Sequence, residues 1–240
     1  MTTVPLPPPE LRLHQDTDEA FLANCLRLAE LVYSAGLPAD GALLDVGCGV
    51  GRLPIGLLST GFAGRYFGFD VSLMYVRWAK QNLGPLGELG FKHTPVYNDR
   101  YNTRATTTAD AFTFPVGSGE YDVAALFSVF THFYRRDIES YLTELARVLK
   151  PGGRVVVTFF LWNEERLPAI MAGPHPLRHQ LDADVRFWDE DDPLWAIGYS
   201  FKSLDAMAGG AGFHVSEVRL GTWAGGPGPQ LQDVVVLTKG

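Results

Sequence analysis

Apolar positions along the chain follow two alternating rhythms. From 17 to 35 they recur at helical spacing, with Phe21, Cys25, Leu28 and Val32 on one face, and Gly36 and Pro38 end the run. Asp16 and Glu19 have the spacing of a reciprocal N-terminal cap for that helix. The short apolar run 42–46 reads as a buried strand that leads straight into glycines. Residues 52–59 fit a helix that tolerates Pro54 in its first turn. A strand over 65–69 then ends at Asp70, Ser72 caps a helix to about Asn82, and 91–97 reads as a third strand. After a connection over 98–115, rich in Thr and Asn, come a strand over 121–127, a helix over 137–149 and a β-branched strand over 154–160. Residues 162–199 show no clear period and read as irregular. A helix over 201–211 and two strands, 213–220 and 233–238, finish the chain, and no internal repeat is visible.

Strands that alternate with helices from 42 to 160 predict βαβ units and a parallel sheet covered on both faces, the α/β class. Ligands in such sheets sit beyond the carboxyl ends of the strands, so the residues just after each strand carry the interest. Pro5, Pro7, Pro8 and Pro9 predict that 1–10 is a disordered or loosely draped arm.

Composition narrows the function. The chain has 240 residues, 46% hydrophobic and 20% charged, with a mean hydropathy of +0.02, which suits a single domain over 1–240. Its net charge of −7 runs against general nucleic-acid binding, which needs clustered cations. No apolar run reaches the roughly 18 residues of a membrane span, and the Pro-rich start lacks the pattern of a signal peptide. Two cysteines, Cys25 and Cys48, are too few for a disulfide framework or a cysteine metal site, which points to a reducing cytoplasm. The acidity is concentrated in 182–192, six acids against one Arg. That stretch is either a solvated loop or a rim for a cationic acceptor or divalent ion.

The loop after the first strand reads Asp45-Val46-Gly47-Cys48-Gly49-Val50-Gly51. Its glycines allow a sharp turn and a close ligand approach. The spacing is G-x-G-x-G, and Asp45 lies beside it. A carboxylate there disfavours a pyrophosphate and favours a cationic group.

This segment closely resembles motif I of the class I S-adenosylmethionine (SAM)-dependent methyltransferases. Asp70, 25 residues after Asp45, resembles the family's acid at the end of the second strand. F-D-V-S, Y-D-V-A-A-L-F-S-V-F-T-H at 121–132 and L-K-P-G-G-R at 149–154 resemble later family segments in order. The resemblance implies a Rossmann-like three-layer α/β/α sandwich with a mostly parallel seven-stranded sheet and an antiparallel C-terminal strand. Within it, 1–40 is an arm and cap helix, 41–160 the SAM-binding core, 161–200 a lid or substrate-binding insertion, and 201–240 a final helix and hairpin. SAM is the implied cofactor and S-adenosylhomocysteine (SAH) its product.

The implied cofactor residues are Asp45, Gly47, Cys48, Gly49, Gly51, Asp70, Val71, Tyr75, Asp110, Ala111, Phe127 and Ser128. Asp70 takes the ribose hydroxyls and Tyr75 packs on adenine. Cys48 is a packing residue whose thiol the chemistry does not need. Adenine is read either by Asp110 or by the connection carrying Tyr97, Asn98, Tyr101 and Asn102, which would fold over the cofactor. His132 is the candidate base, because its ordinary pKa suits proton removal near neutrality; the other readings are a structural histidine and a contact to cofactor or substrate. Phe133, Phe160, Trp162 and Trp188 either wall an acceptor or form the lid's own core. His175, His179 and the acids 189–192 lack a diagnostic metal spacing, and no metal is expected. The expected activity is methyl transfer to a small-molecule acceptor, with a hydroxyl oxygen favoured, by a monomer or homodimer that binds neither nucleic acid nor membrane. SAM binding without transfer, or SAM-assisted cyclisation or isomerisation, stays open.

Overall fold

The structure is a computed structural model that describes residues 4–12, 17–98 and 101–240. Its internal contacts divide it into two compact units, one of residues 1–112 with 119–125, the other of 113–118 with 126–240.

The first unit is built on α1 (Asp18–Ser34), β1 (Ala42–Val46), α2 (Arg52–Ser59), β2 (Arg65–Asp70), α3 (Leu73–Asn82), β3 (Leu89–His93) and β4 (Tyr121–Leu126). β1 pairs in parallel with β2 on one side and β4 on the other, and β2 pairs in parallel with β3. Every residue of β1 is buried, as expected for an inner parallel strand. α1 buries the predicted face, Phe21, Cys25, Leu28 and Val32. Its N-cap is Thr17, whose hydroxyl accepts from Ala20 N at 3.2 Å, an interaction worth about 1 kcal/mol. The expected cap residue Asp16 lies outside the described residues.

The third strand ends earlier than its apolar pattern predicts. β3 stops at His93. Thr94 N turns to the Asp70 carbonyl, Pro95 has no N–H to give, and Val96 makes only an isolated bridge to Thr107. The described part of the N-terminal arm is also more ordered than expected. Pro9–Leu11 forms a 3-10 turn, Leu11 is buried, and Arg12 Nε donates to the Pro7 carbonyl at 2.6 Å.

The second unit carries α4 (Arg135–Val148), β5 (Leu149–Phe159), α6 (Phe201–Gly210), β10 (Phe213–Arg219) and β11 (Asp233–Lys239). β11 pairs antiparallel with β5 and with β10. With these strands the main sheet has seven members, mostly parallel and closed by an antiparallel C-terminal hairpin, which is the Rossmann-like α/β fold expected.

The region 162–199 departs from the expectation of irregular chain. It contains α5 (Leu167–Ala172) and most of a second sheet of four short strands, β6 (Leu161–Trp162), β7 (His179–Gln180), β8 (Val185–Phe187) and β9 (Ile197–Ser200), in the order β6-β9-β8-β7. Strands of two to four residues are too short to display a period of two, so the pattern hid them.

Candidate functional site

In the first unit the candidate residues gather where β1 and β2 end. After Val46 the chain turns through Gly47, Gly49 and Gly51 at φ 76°, 53° and 91°, a conformation side chains rarely adopt. Gly47 N and Cys48 N both donate to the Phe69 carbonyl, at 2.9 and 3.1 Å, which hooks the loop onto β2. Asp70 holds it from the other side. Its Oδ2 accepts from Gly49 N at 2.8 Å and its Oδ1 from Ser72 N at 2.7 Å, so one carboxylate ties the glycine loop to the cap of α3. Burial raises the Asp70 pKa, and the N–H groups of Ser72 and Gly49 pull it back.

Asp45 lies beneath the loop and is 3% exposed. Its Oδ2 accepts from the Tyr66 hydroxyl at 2.7 Å. Burial pushes its pKa up to about 7, against the pull of the Tyr66 bond and of Arg52. Gly68, the register partner of Asp45 on β2, makes this possible: a Cβ there would meet Tyr66 Oη at 2.5 Å and Cys48 Cβ at 2.8 Å. Cys48 is itself buried, and burial raises its thiol pKa well above the ordinary range, which makes it a packing group.

The remaining first-unit candidates surround these. Val71 is half-buried, and its carbonyl lies 3.1 Å from His93 Nε2; a carbonyl only accepts, so that nitrogen carries the hydrogen. Tyr75 is half-buried with its ring 6.2 Å from that of Tyr101. Asp110 and Ala111 form a 3-10 turn, and Phe112 packs edge-on against Phe69 at 5.8 Å, which brings that turn to the end of β2. Asn102 Nδ2 donates to the Val96 carbonyl at 3.1 Å and folds the preceding connection back on itself. Arg52 opens α2 and donates from Nη1 to Asn24 Oδ1 on α1 at 3.3 Å.

The second unit holds the other candidates. Phe127 is buried at the end of β4. Ser128 is the non-glycine residue with positive φ among those described, at 60°. That conformation is held by Thr158 Oγ1, which accepts from Ser128 N at 2.7 Å, and by Gln232 Oε1, which accepts from Ser128 Oγ at 3.0 Å. His132 ends a 3-10 turn, Phe130–His132, with Nδ1 2.8 Å from the Leu194 carbonyl. Nδ1 therefore carries a hydrogen, and in the neutral ring Nε2 is the basic nitrogen. The Phe133 carbonyl accepts from Tyr199 Oη at 2.7 Å, and its ring meets Tyr141 edge-on at 4.9 Å.

Phe160 and Trp162 belong to a buried cluster with Ile170, Leu177, Ala196, Trp223 and Ala224, and Trp188 packs against it half-exposed. His175 meets Trp188 edge-on at 4.8 Å, and His179 stacks on Phe187 at 5.3 Å. Among the described residues no group of three or more His, Cys, Asp or Glu is placed to hold a metal ion, and no helix is long and apolar enough to cross a membrane.

Sequence reasoning missed Tyr66, Arg52 and Asp233. The signal for Tyr66 was a glycine inside a strand, which marks a close approach of side chains. Asp233, fully buried, accepts from Leu161 N, Gly221 N and Trp223 Nε1, each at 2.8 Å, and from Arg166 Nη2 at 3.1 Å. Read in sequence, it is only the first residue of a strand.

The comparisons with known proteins agree with this geometry. The methyltransferase-domain family matches residues 44–157. A curated relative, the O-methyltransferase cnsE of Penicillium expansum, is 29% identical over 124 residues, 50% of this chain and 38% of that protein, so the match spans well under half of the relative's length. Among solved structures, a SAM-dependent methyltransferase of Methanosarcina mazei superposes with TM-score 0.58 at 18% identity, covering 87% of this chain and 96% of its own. The 1,6-didemethyltoxoflavin-N1-methyltransferase of Burkholderia thailandensis, solved with SAH, gives 0.58 at 17%, covering 92% and 79%. The magnesium protoporphyrin IX methyltransferase of Synechocystis, also solved with SAH, gives 0.57 at 16%, covering 92% and 83%. Residues 44–157 therefore match a methyltransferase domain, and the chain shares the fold of SAM-dependent methyltransferases of known structure.

The residues present fit SAM, the cofactor that the sequence resemblance implies. A Cβ built on Gly49 meets nothing within 4 Å, so the loop is open beside that residue. Asp70 is pinned at the loop's edge by backbone donors, and an acid and a cation, Asp45 and Arg52, lie close enough to influence each other. No phosphate-binding feature is needed, because SAM carries none.

Proposed function

We propose that the chain transfers a methyl group from SAM to a small-molecule acceptor, with a hydroxyl oxygen as the methylated atom. The observation that carries this reading is the Asp70 carboxylate, bonded at once to Gly49 N and Ser72 N, because it fixes a glycine loop and a sugar-binding acid in one rigid piece. In this reading Asp70 binds the ribose hydroxyls, Gly47, Gly49 and Gly51 admit the methionine portion, and Tyr75 with Val71 packs on the base. Asp110 and Ala111 serve adenine. Phe127, and Ser128 in its strained conformation, complete the cofactor set. Bound, SAM supplies a methyl group already activated by its sulfonium. What remains for the chain is to align the acceptor, exclude water and accept a proton.

His132 is the proposed base. Its Nδ1–H donates to the Leu194 carbonyl, which fixes the ring, and Nε2 is the nitrogen proposed to take the acceptor's hydroxyl proton. Phe133 and Trp188 are the proposed acceptor-side aromatics, and Phe160 and Trp162 support them from the buried cluster. The oxygen preference draws support from the name of the Penicillium relative. The free, buried thiols of Cys25 and Cys48 suit a reducing cytoplasm.

The test is SAH release from SAM across a panel of small hydroxylated metabolites. We expect turnover with at least one hydroxyl acceptor. We also expect His132→Gln to lower kcat about 100-fold or more with little change in SAH affinity. SAH binding without turnover on any acceptor would leave a binding protein and overturn the transferase reading.

A further inference from the structure

His132 and Phe133 leave the 3-10 turn Phe130–His132 side by side, and each is tied to the same stretch of chain, the one that enters β9. His132 Nδ1 lies 2.8 Å from the Leu194 carbonyl, in the turn Pro193–Trp195. Tyr199 Oη, on β9 itself, donates to the Phe133 carbonyl at 2.7 Å. The two bonds span 62 and 66 residues of sequence, so neither is a local feature of the turn. Tyr199 is a firm anchor. It is fully buried, with its ring edge-on to Phe159 at 6.3 Å. β9 is an inner strand between β6 and β8, and Tyr199 N donates to the Phe160 carbonyl at 2.9 Å. A phenol packed this closely on a strand paired on both sides holds its hydroxyl in one place.

A neutral imidazole has two tautomers, which put the basic lone pair on opposite sides of the ring. A carbonyl only accepts, so the Leu194 contact selects the form with hydrogen on Nδ1 and the lone pair on Nε2. That bond alone would let the ring swing away about its side-chain torsions. The Tyr199 bond pins the peptide directly after His132 to the strand that follows Leu194, so ring and carbonyl are held together from both sides.

We propose that Tyr199 is a positioning residue: by pinning the Phe133 carbonyl it keeps His132 against Leu194, and the four-stranded sheet thereby decides which ring nitrogen is basic. The inference deepens the reading of His132 as the base and rests on it for its consequence in catalysis.

The test reads the ring directly, by two-bond proton–nitrogen correlation spectra of the full chain carrying 15N-labelled histidine, with the His132 signals assigned from their loss in His132→Gln. At about pH 8, where an ordinary imidazole is neutral, wild-type His132 is expected in the Nδ1–H form. Tyr199→Phe deletes the hydroxyl and keeps the ring. It is expected to move the tautomer ratio about 5-fold toward the Nε2–H form, the scale of one hydrogen bond, with SAH affinity unchanged. Pro193→Gly frees the turn that carries the Leu194 carbonyl and is expected to move the ratio the same way. Wild-type His132 in the Nε2–H form overturns the proposal without any variant. An unchanged ratio in either folded variant also overturns it. On a hydroxylated metabolite from which the wild type releases SAH, Tyr199→Phe is expected to lower kcat in proportion to the loss of the Nδ1–H form, with the KM for SAM unchanged. A tautomer that shifts while kcat does not would instead sink the base reading and leave the positioning role standing.

Discussion

Asp45 and Asp233 are both carboxylates with almost no exposure, at 3% and 0%, yet the chain treats them in opposite ways. Asp233, in the second unit, is saturated: two backbone N–H groups, an indole N–H and the Arg166 guanidinium occupy its oxygens. These partners come from β6, the N-cap of α5 and the loop before β11, so the carboxylate holds separate pieces of chain together. Asp45, in the first unit, receives the Tyr66 hydroxyl, and burial raises its pKa to about 7. A carboxylate this close to neutrality responds to whatever cation approaches it. One region spends its acid on architecture. The other keeps its acid poised, and in our reading that is the difference between a structural hub and a binding site.

The comparison can be broken most forcefully at the hub. Asp233→Ala removes the counter-charge of a mostly buried guanidinium and strands three N–H donors. We expect a loss of about 3–5 kcal/mol in urea unfolding, the usual cost of breaking a buried pair. A loss below about 1 kcal/mol would show that the hub is not structural.

Asp45 should do the reverse in stability and show it through pH. Because folding raises its pKa from 3.8 to about 7, the protonated form stabilises the fold fully below about 4, and that contribution disappears as pH rises to about 7. Asp45→Asn is expected to keep the Tyr66 bond and abolish this dependence. It should be more stable than wild type at pH 8, with an upper bound of about 4 kcal/mol, while it binds SAH more weakly. Parallel melting curves for the two proteins from pH 4 to 8 would show that Asp45 ionises freely in the fold.

Gly49→Val separates binding from folding. The φ of 53° costs a side chain about 1–2 kcal/mol, but a Cβ at this position meets nothing within 4 Å among the described residues. We expect a folded protein whose SAH affinity falls by about 100-fold or more, since the side chain occupies the open face of the loop. Retained affinity would place the cofactor elsewhere. The smallest effect is expected at Thr131, whose buried hydroxyl has no partner among the described residues. Thr131→Val should be neutral or raise stability by about 1 kcal/mol in thermal unfolding; a loss of 2 kcal/mol would reveal a hidden bond.

The two units also differ in how far they could be read in advance. β1, α2, β2 and α3 fall within a residue or so of the pattern, because each carries its own periodicity and its own stop signals. The candidate residues that the structure gathers at the ends of β1 and β2 follow from strand ends alone: Asp45, the three glycines, Asp70 and Val71 are all within two residues of a terminus or in the loop between. β3 was misplaced because Val96 and Tyr97 extend the apolar run past Pro95, and the missing N–H outweighed them. In the second unit, the pairing of Leu161 with Tyr199 and of Val185 with Tyr199 joins segments far apart in sequence through strands too short to announce themselves.

The amino-acid order alone determined the alternation of strands and helices, the glycine turn and the acids on either side of it, since these depend on neighbours within one turn or one strand. Tertiary structure alone decided that Tyr66 would reach Asp45 across Gly68, that Asn24 would steer Arg52, and that Asp233 would collect donors from residues 161, 166, 221 and 223. Those contacts form between side chains whose separation in space is set only when the whole chain has packed, and no local pattern encodes that distance.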